Sequence, residues 1–220
     1  MDLNPVWLSI KVSLIAVSIV FVIGTLLAVL MLRASFQGKS ILESLILVPL
    51  VLPPSVAGFL LLILFGKHGP FGRVLDMVGI QVIFSWRAAV IASAVVALPL
   101  MYQSVKAALE SVDPKLEQAA RTLGAGELTL LRTVTLPLAW PGFISGAVLA
   151  FARSLGEFGA TLMISGNIPG ETQTIPLAIY TMSQGGDLKA AGVLVAILLA
   201  TSFSLVLSLN IWKKRSVLWP

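Results

Sequence analysis

Residues 12–32 read VSLIAVSIVFVIGTLLAVLML, an uncharged run closed by Lys11 before it and Arg33 after it. A bilayer core of ~30 Å is crossed by about 20 residues of helix, so this stretch is long enough to span. Lipid offers no partner to free backbone N–H and C=O groups, so the span must be helical. The residues ahead of it, MDLNP, carry no basic cluster and no A-x-A site follows, so the run is expected to stay in the mature chain rather than leave as a signal peptide. Four more uncharged runs follow: 44–66 between Glu43 and Lys67, 88–105 between Arg87 and Lys106, one from Thr133 to Ala152 that continues past Arg153 to Ile164, and 190–212 ending at Lys213.

The composition agrees. Of 220 residues, 57% are hydrophobic and only 11% charged, against about 25% charged in a soluble domain. This excludes a soluble globular domain and a disordered chain, and the absence of Cys excludes a disulfide scaffold. The expected fold is an all-α polytopic membrane protein of about five transmembrane helices. Residues 1–220 then form one transmembrane domain with no room for an appended soluble one.

Five crossings put the termini on opposite sides. Arg33, Lys39, Lys106, Lys115, Arg121, Arg132, Lys213, Lys214 and Arg215 fall on one set of loops; Lys11, Lys67, Arg73, Arg87 and Lys189 fall on the other. Basic residues concentrate in cytoplasmic loops, so the N-terminus is expected outside and the C-terminus in the cytoplasm. That bias accounts for the net charge of +5. No basic patch is interleaved with aromatics, so nucleic acid is not an expected partner.

Catalytic chemistry has little to work with. The single His, His68, cannot build a zinc or haem site and reads as a solvated loop residue. No G-x-x-x-x-G-K-[ST] phosphate loop is present, so the chain has no nucleotide site of its own. No Ser/His/Asp set exists. The expectation is a transport or assembly subunit with no catalytic residue and no metal or cofactor of its own.

The best-patterned loop is the cytoplasmic one, about 106–137. Asp113-Pro114 reads as an N-cap followed by an N1 proline. Leu116, Ala119, Ala120 and Leu123 recur on one helical face, Glu117 and Arg121 pair at i,i+4 on another, and Gly124 sits where a C′ glycine ends a helix. A second short helix, Glu127 to Val134, leads into Leu136-Pro137. Pattern alone leaves two readings: an element that docks a partner, or an amphipathic helix resting on lipid.

The segment 117–125, EQAARTLGA, with Leu136-Pro137 beyond it, resembles the EAA loop of ABC importer permeases, with Gln118 in place of the first Ala. The segments 151–161 (FARSLGEFGAT), 166–176 (GNIPGETQTIP), 47–56 (LVPLVLPPSV) and 84–87 (FSWR) resemble the molybdate members of that family, and sulfate permeases share part of the pattern. The resemblance implies a type I ABC importer permease in the bacterial cytoplasmic (inner) membrane. It implies a second copy of the chain, ATPase subunits that use ATP and Mg and dock on the loop, and a periplasmic or extracellular oxyanion-binding protein. Molybdate is the implied substrate, with tungstate, sulfate or another oxyanion as alternatives; a membrane channel that needs no ATPase is the rival reading. The coupling residues it marks are Leu116, Glu117, Ala119, Ala120, Arg121, Leu123, Gly124, Leu136 and Pro137.

A candidate pathway or gate set is Pro53, Pro54, Ser55, Arg153, Ser154 and Glu157. Arg153 and Glu157 are four apart on one helix face and are the charges expected at membrane depth, in the outer half. Such charges mark a pathway or a partner, and a guanidinium suits an oxyanion. Arg153 with Ser154 would meet the anion while Glu157 offsets its charge; the alternative is a fixed ion pair that holds spans together. Pro49, Pro53, Pro54 and Pro99 interrupt their spans, as pathway helices often are, or merely bend them. Gly142, Ser145, Gly146, Ala150, Gly156 and Gly159 form a small-residue stripe that permits close helix packing. A homodimer with the path on its axis is expected. Residues 174–184 read as a short outer helix that touches a binding protein or caps the bundle.

Overall fold

The computed structural model describes residues 3–216, and these are helical almost throughout. α1 (Asn4–Arg33) starts with a proline in its first turn. α2 (Lys39–Val51) and α3 (Pro54–Phe65) follow, then the short α4 (Pro70–Met77) and the central α5 (Trp86–Glu110). After α6 (Pro114–Thr122) comes one long helical stretch: α7 (Glu127–Leu130), a π-helical turn over Leu131–Thr135 and α8 (Leu136–Leu155). α9 (Gly159–Ser165), α10 (Ile175–Gln184) and α11 (Leu188–Ser216) complete the chain. Four helical stretches, 4–32, 86–110, 127–155 and 188–212, are long and apolar enough to cross a membrane unbroken.

Packing sets the directions. Lys11 lies over Trp86, and Gly24 sits against Met101 and Tyr102, so α1 and α5 run the same way. Gly142 meets Ala108 and Gly146 meets Met101, so α8 runs opposite to α5. The Ile175 N–H donates to Ser9 Oγ at 2.7 Å, and Ile175 and Ala178 pack on Leu194; α10 thus caps the bundle where both α1 and α11 begin. The core between α1, α5 and α8 is made of small residues with a few large ones. Ala16, Ala28, Ala89, Ala97 and Ala150 are completely buried, around Met101, Tyr102 and Phe143. In lipid no hydrophobic effect drives helices together, so stability rests on van der Waals contact between closely approaching backbones.

Two expected spans come out differently. The run 44–66 is not one straight helix: α2 and α3 meet at 115°. Pro53 and Pro54 supply no N–H, and a residue before proline is pushed out of the helical region. Leu52 and Pro53 accordingly take extended ψ values of 140° and 135°. Since α1 and α5 are parallel, this broken pair with α4 must still return the chain from the end of α1 to the start of α5. The run from Thr133 does not continue to Ile164 as one helix: α8 ends at Leu155, Gly156 closes it, and α9 is separate.

The second short loop helix is also corrected. Residues 127–134 are not a free-standing element but the beginning of the long helix that becomes α8. Pro137 explains the π turn before it. Its ring crowds the carbonyl four residues back and its missing N–H leaves that carbonyl unbonded, and widening the helix over Leu131–Thr135 relieves both.

Candidate coupling surface and translocation site

α6 forms as its sequence pattern requires. The Asp113 carboxylate accepts the Lys115 N–H at 2.9 Å, with Pro114 in the first turn. At the other end Gly124 has φ +81°; its N–H bonds the Arg121 carbonyl, and the Ala125 N–H bonds that of Ala120. This is the double bond pattern of a Schellman cap, which needs a left-handed residue at Gly124.

Glu117 of α6 reaches the root of α8, while Leu116 and Leu123 stay exposed. Buried Thr135, in the π turn, donates to Glu117 Oε1 at 2.9 Å. Arg121 bridges Glu117 at 3.6 Å and Glu127 at 2.8 Å, and its hydrogen bond to Glu127 pushes the guanidinium pKa further up. These bonds tie α6 to the root of α8. Leu116 is 47% exposed and Leu123 89% exposed, Ala119 is exposed and Ala120 half-buried. Leu136 is half-buried in the core and Pro137 exposed. Leu116, Ala119 and Leu123 thus present exposed apolar groups on a helix fixed by bonds to the root of α8.

The two helix breaks come together in space. A Cβ on Gly159, at the start of α9, would stand 2.9 Å from Pro54 Cβ and 3.4 Å from the Ser55 nitrogen, and Gly58 packs on Ala160 and Met163. The candidate set Pro53, Pro54, Ser55, Arg153, Ser154 and Glu157 is therefore gathered around one locus, where α2 breaks to α3 and α8 to α9. Pro53, Pro54 and Ser55 are exposed. Arg153 Nη1 contacts Glu157 Oε2 at 2.8 Å; the Arg153 side chain is 30% exposed and that of Glu157 1%. The other carboxylate oxygen of Glu157 accepts the Ala160 N–H at 2.8 Å, in the first turn of α9. A carboxylate at a helix N-terminus is favoured by the helix dipole. Glu157 thus joins α8 to α9. Ser154 is buried with its hydroxyl unpaired.

The glycine stripe of the fourth span is used within the chain. Gly142 and Gly146 face α5, Gly159 faces α3, and Gly156 closes α8. It therefore lends no support to a contact between copies.

One pair escaped the sequence reading. Lys106 Nζ sits 2.7 Å from Glu43 Oε1 and 3.9 Å from Glu110, and joins α2 to α5 near the end of α5 that leads into α6. Glu43 and Lys106 looked like the outer limits of two runs; only the packing shows that they pair. Both side chains are about one-fifth exposed. Glu43→Lys should therefore cost on the order of 1–3 kcal/mol, and adding Lys106→Glu should restore most of it. Thermal unfolding of the purified wild type, single variant and double variant measures this; failure of the double variant to recover would remove the pair's structural role.

Comparison with known proteins decides the family. Residues 20–215 match the model of the binding-protein-dependent transport system inner membrane component. The chain belongs to this family. It is a non-catalytic, multi-pass inner-membrane subunit of an ABC importer. The permease is 51% identical over 212 residues to the molybdenum transport system permease protein ModB of Escherichia coli, covering 93% of each chain. It is 48% identical to the putative molybdenum transport system permease protein YvgM of Bacillus subtilis, over 91% of this chain and 88% of that one. Identity to the sulfate transport system permease protein CysT of Salmonella typhimurium is 38%, over 93% of this permease and 76% of CysT. Among solved structures, the permease fold of the MetNI methionine ABC transporter superposes with a TM-score of 0.76 at 19% identity, covering 97% of this chain and 94% of that one.

Proposed function

We propose that this permease carries molybdate. The observation that supports it most directly is the gap between 51% identity to a molybdenum permease and 38% to a sulfate permease at equal coverage of this chain. The whole chain acts as one transmembrane domain that crosses five times, with the broken α2–α3 pair as the second crossing. Its N-terminus faces outward and its C-terminus the cytoplasm, as the basic residues suggest. Two copies form the path. Two ATPase subunits, which bind ATP and Mg, dock on the outward stripe of α6, with Leu116, Ala119, Ala120 and Leu123 as contacts. Glu117, Arg121, Gly124, Leu136 and Pro137 hold that stripe in place. A binding protein delivers the oxyanion at the opposite face, where α10 caps the bundle.

ATP-driven closure of the ATPase pair then moves α6. Because α6 is bonded to the root of α8, and α8 joins α9 through Glu157, motion reaches the α3–α9 contact as a rigid displacement rather than by bending. Arg153 is the residue proposed to meet the anion, since its guanidinium is still partly exposed beside the two helix breaks. Uptake by the reconstituted complex, measured with molybdate, tungstate and sulfate in competition, tests the substrate. Sulfate displacing molybdate at equal concentration would overturn it. Arg153→Gln should lower uptake at low molybdate by roughly tenfold or more, the worth of one charge-assisted hydrogen bond pair. Unchanged uptake by an assembled complex would leave Arg153 only the ion pair.

A further inference from the structure

We propose that the seam between α1 and α5, at the end where both helices begin, binds an anionic phospholipid, phosphate uppermost and one acyl chain along the groove beneath. Two cations converge there on one indole: Lys11 Nζ lies 4.0 Å and the Arg87 guanidinium 5.8 Å from the Trp86 ring centroid. Among the described residues neither is in an ion pair. Tryptophan favours the membrane–water interface, and a lysine some way inside a span directs its amine toward that level. Two unpaired cations at this depth suit a phosphate.

The groove below them supplies the second half of the ligand. Val12, Ala16 and Val20 are the buried seam of α1. Lys11, Ile15 and Ile19 each precede one of them by a residue, so they run as one stripe along the flank of the seam, and Ile23 continues it. On α5, Arg87, Ile91, Val95 and Leu98 recur on the facing side. Between the two stripes lies a groove of about 210 Å³ with a wholly apolar lining, including Ile19, Ile23, Ile91, Ala94, Val95 and Leu98. Ile19 is eight residues past Lys11, about 12 Å deeper along the helix. Charge at headgroup level with an apolar trough below it is the order of groups in a phospholipid. A free oxyanion would use the cations and leave the trough empty. A second copy of the chain would fill the trough and need a carboxylate for the cations.

The purified permease–ATPase complex is equilibrated with phosphatidylglycerol or phosphatidylcholine, and lipid retention is read by native mass spectrometry. Wild type should retain phosphatidylglycerol in preference. Each basic side chain near an anionic lipid contributes about a fivefold factor, so Lys11→Gln with Arg87→Gln should weaken that retention roughly thirtyfold and leave phosphatidylcholine unaffected. Ile19→Trp should fill the groove and lower phosphatidylglycerol retention with both cations intact; Ala94→Leu serves if the tryptophan variant does not assemble. Equal retention by the double cation variant, or no effect of a groove-filling variant, overturns the proposal. So does displacement of the lipid by millimolar inorganic phosphate, which would make the site one for a soluble anion. Cross-linking of two copies through Ile23→Cys would give the groove to the dimer and overturn it as well.

Discussion

Gly142→Leu should abolish accumulation of the folded permease. A Cβ at Gly142 would collide with Ala108 Cβ and stand 3.0 Å from the Ser104 carbonyl oxygen. Neither can yield, because Ala108 has no rotamer to change and the Ser104 oxygen belongs to the helix backbone. α5 and α8 would have to separate along their shared length, and α5 also carries the contact with α1. Overpacking in a core costs about 1–3 kcal/mol and sometimes more. Here the loss extends further, because in lipid close contact is itself the attraction between helices. Gly192→Leu is the control. Gly192 lies on exposed α11 with nothing within 4 Å of its would-be Cβ, and its replacement should be tolerated. Membrane yield and size-exclusion profiles of the two variants check this. Normal yield of Gly142→Leu would mean that α5 and α8 do not pack as described.

Leu123→Asp should leave the permease folded and disconnect it from ATP hydrolysis. Leu123 is 89% exposed, so the change touches no packing within the chain and should alter its stability by no more than about 0.5 kcal/mol. If α6 docks in an ATPase groove, the same change buries a carboxylate in an apolar contact. Loss of such an anchor costs about 2 kcal/mol or more, a factor of roughly thirty in association. The expected result is normal membrane insertion and normal α6 structure, with loss of ATPase co-purification and of transport-linked ATP hydrolysis. Glu117→Lys should reach a similar end by a different route. It removes the acceptor for Thr135 and sets two cations side by side at Arg121, so α6 is left with only the Arg121–Glu127 bridge to the root of α8. Retained coupling in both variants would remove α6 from the docking surface and favour a helix lying on lipid.

The capped helix α6 was legible because its signals are local. Asp113, Pro114 and Gly124 each act on backbone within four residues, and the structure has each where that chemistry requires. The boundary of the second loop helix was not legible. Residues 127–134 have a helical pattern whether they stand free or continue into α8, and the π turn that permits continuity depends on how Pro137 is accommodated. The double proline at 53–54 announced a break but not its angle. A lone kink and a 115° turn share the same missing N–H; the difference lies in α3 packing against α9, more than a hundred residues away.

Glu157 shows the same limit. Its spacing from Arg153 could be read directly, and the ion pair forms at 2.8 Å. Its second oxygen capping α9 could not be read, since that depends on where the helix after Gly156 restarts.

By itself the sequence determined that the chain lives in a membrane, roughly how many times it can cross, and that its longest charged loop folds as a capped helix. Those features follow from transfer of side chains into lipid and from backbone hydrogen bonding, which act residue by residue. The tertiary structure alone decided which glycines face which helix, that Glu117 of α6 bonds the root of α8, and that the two helix breaks meet. Those depend on contacts between residues far apart in the chain, where close approach and the pairing of buried charge override local preference.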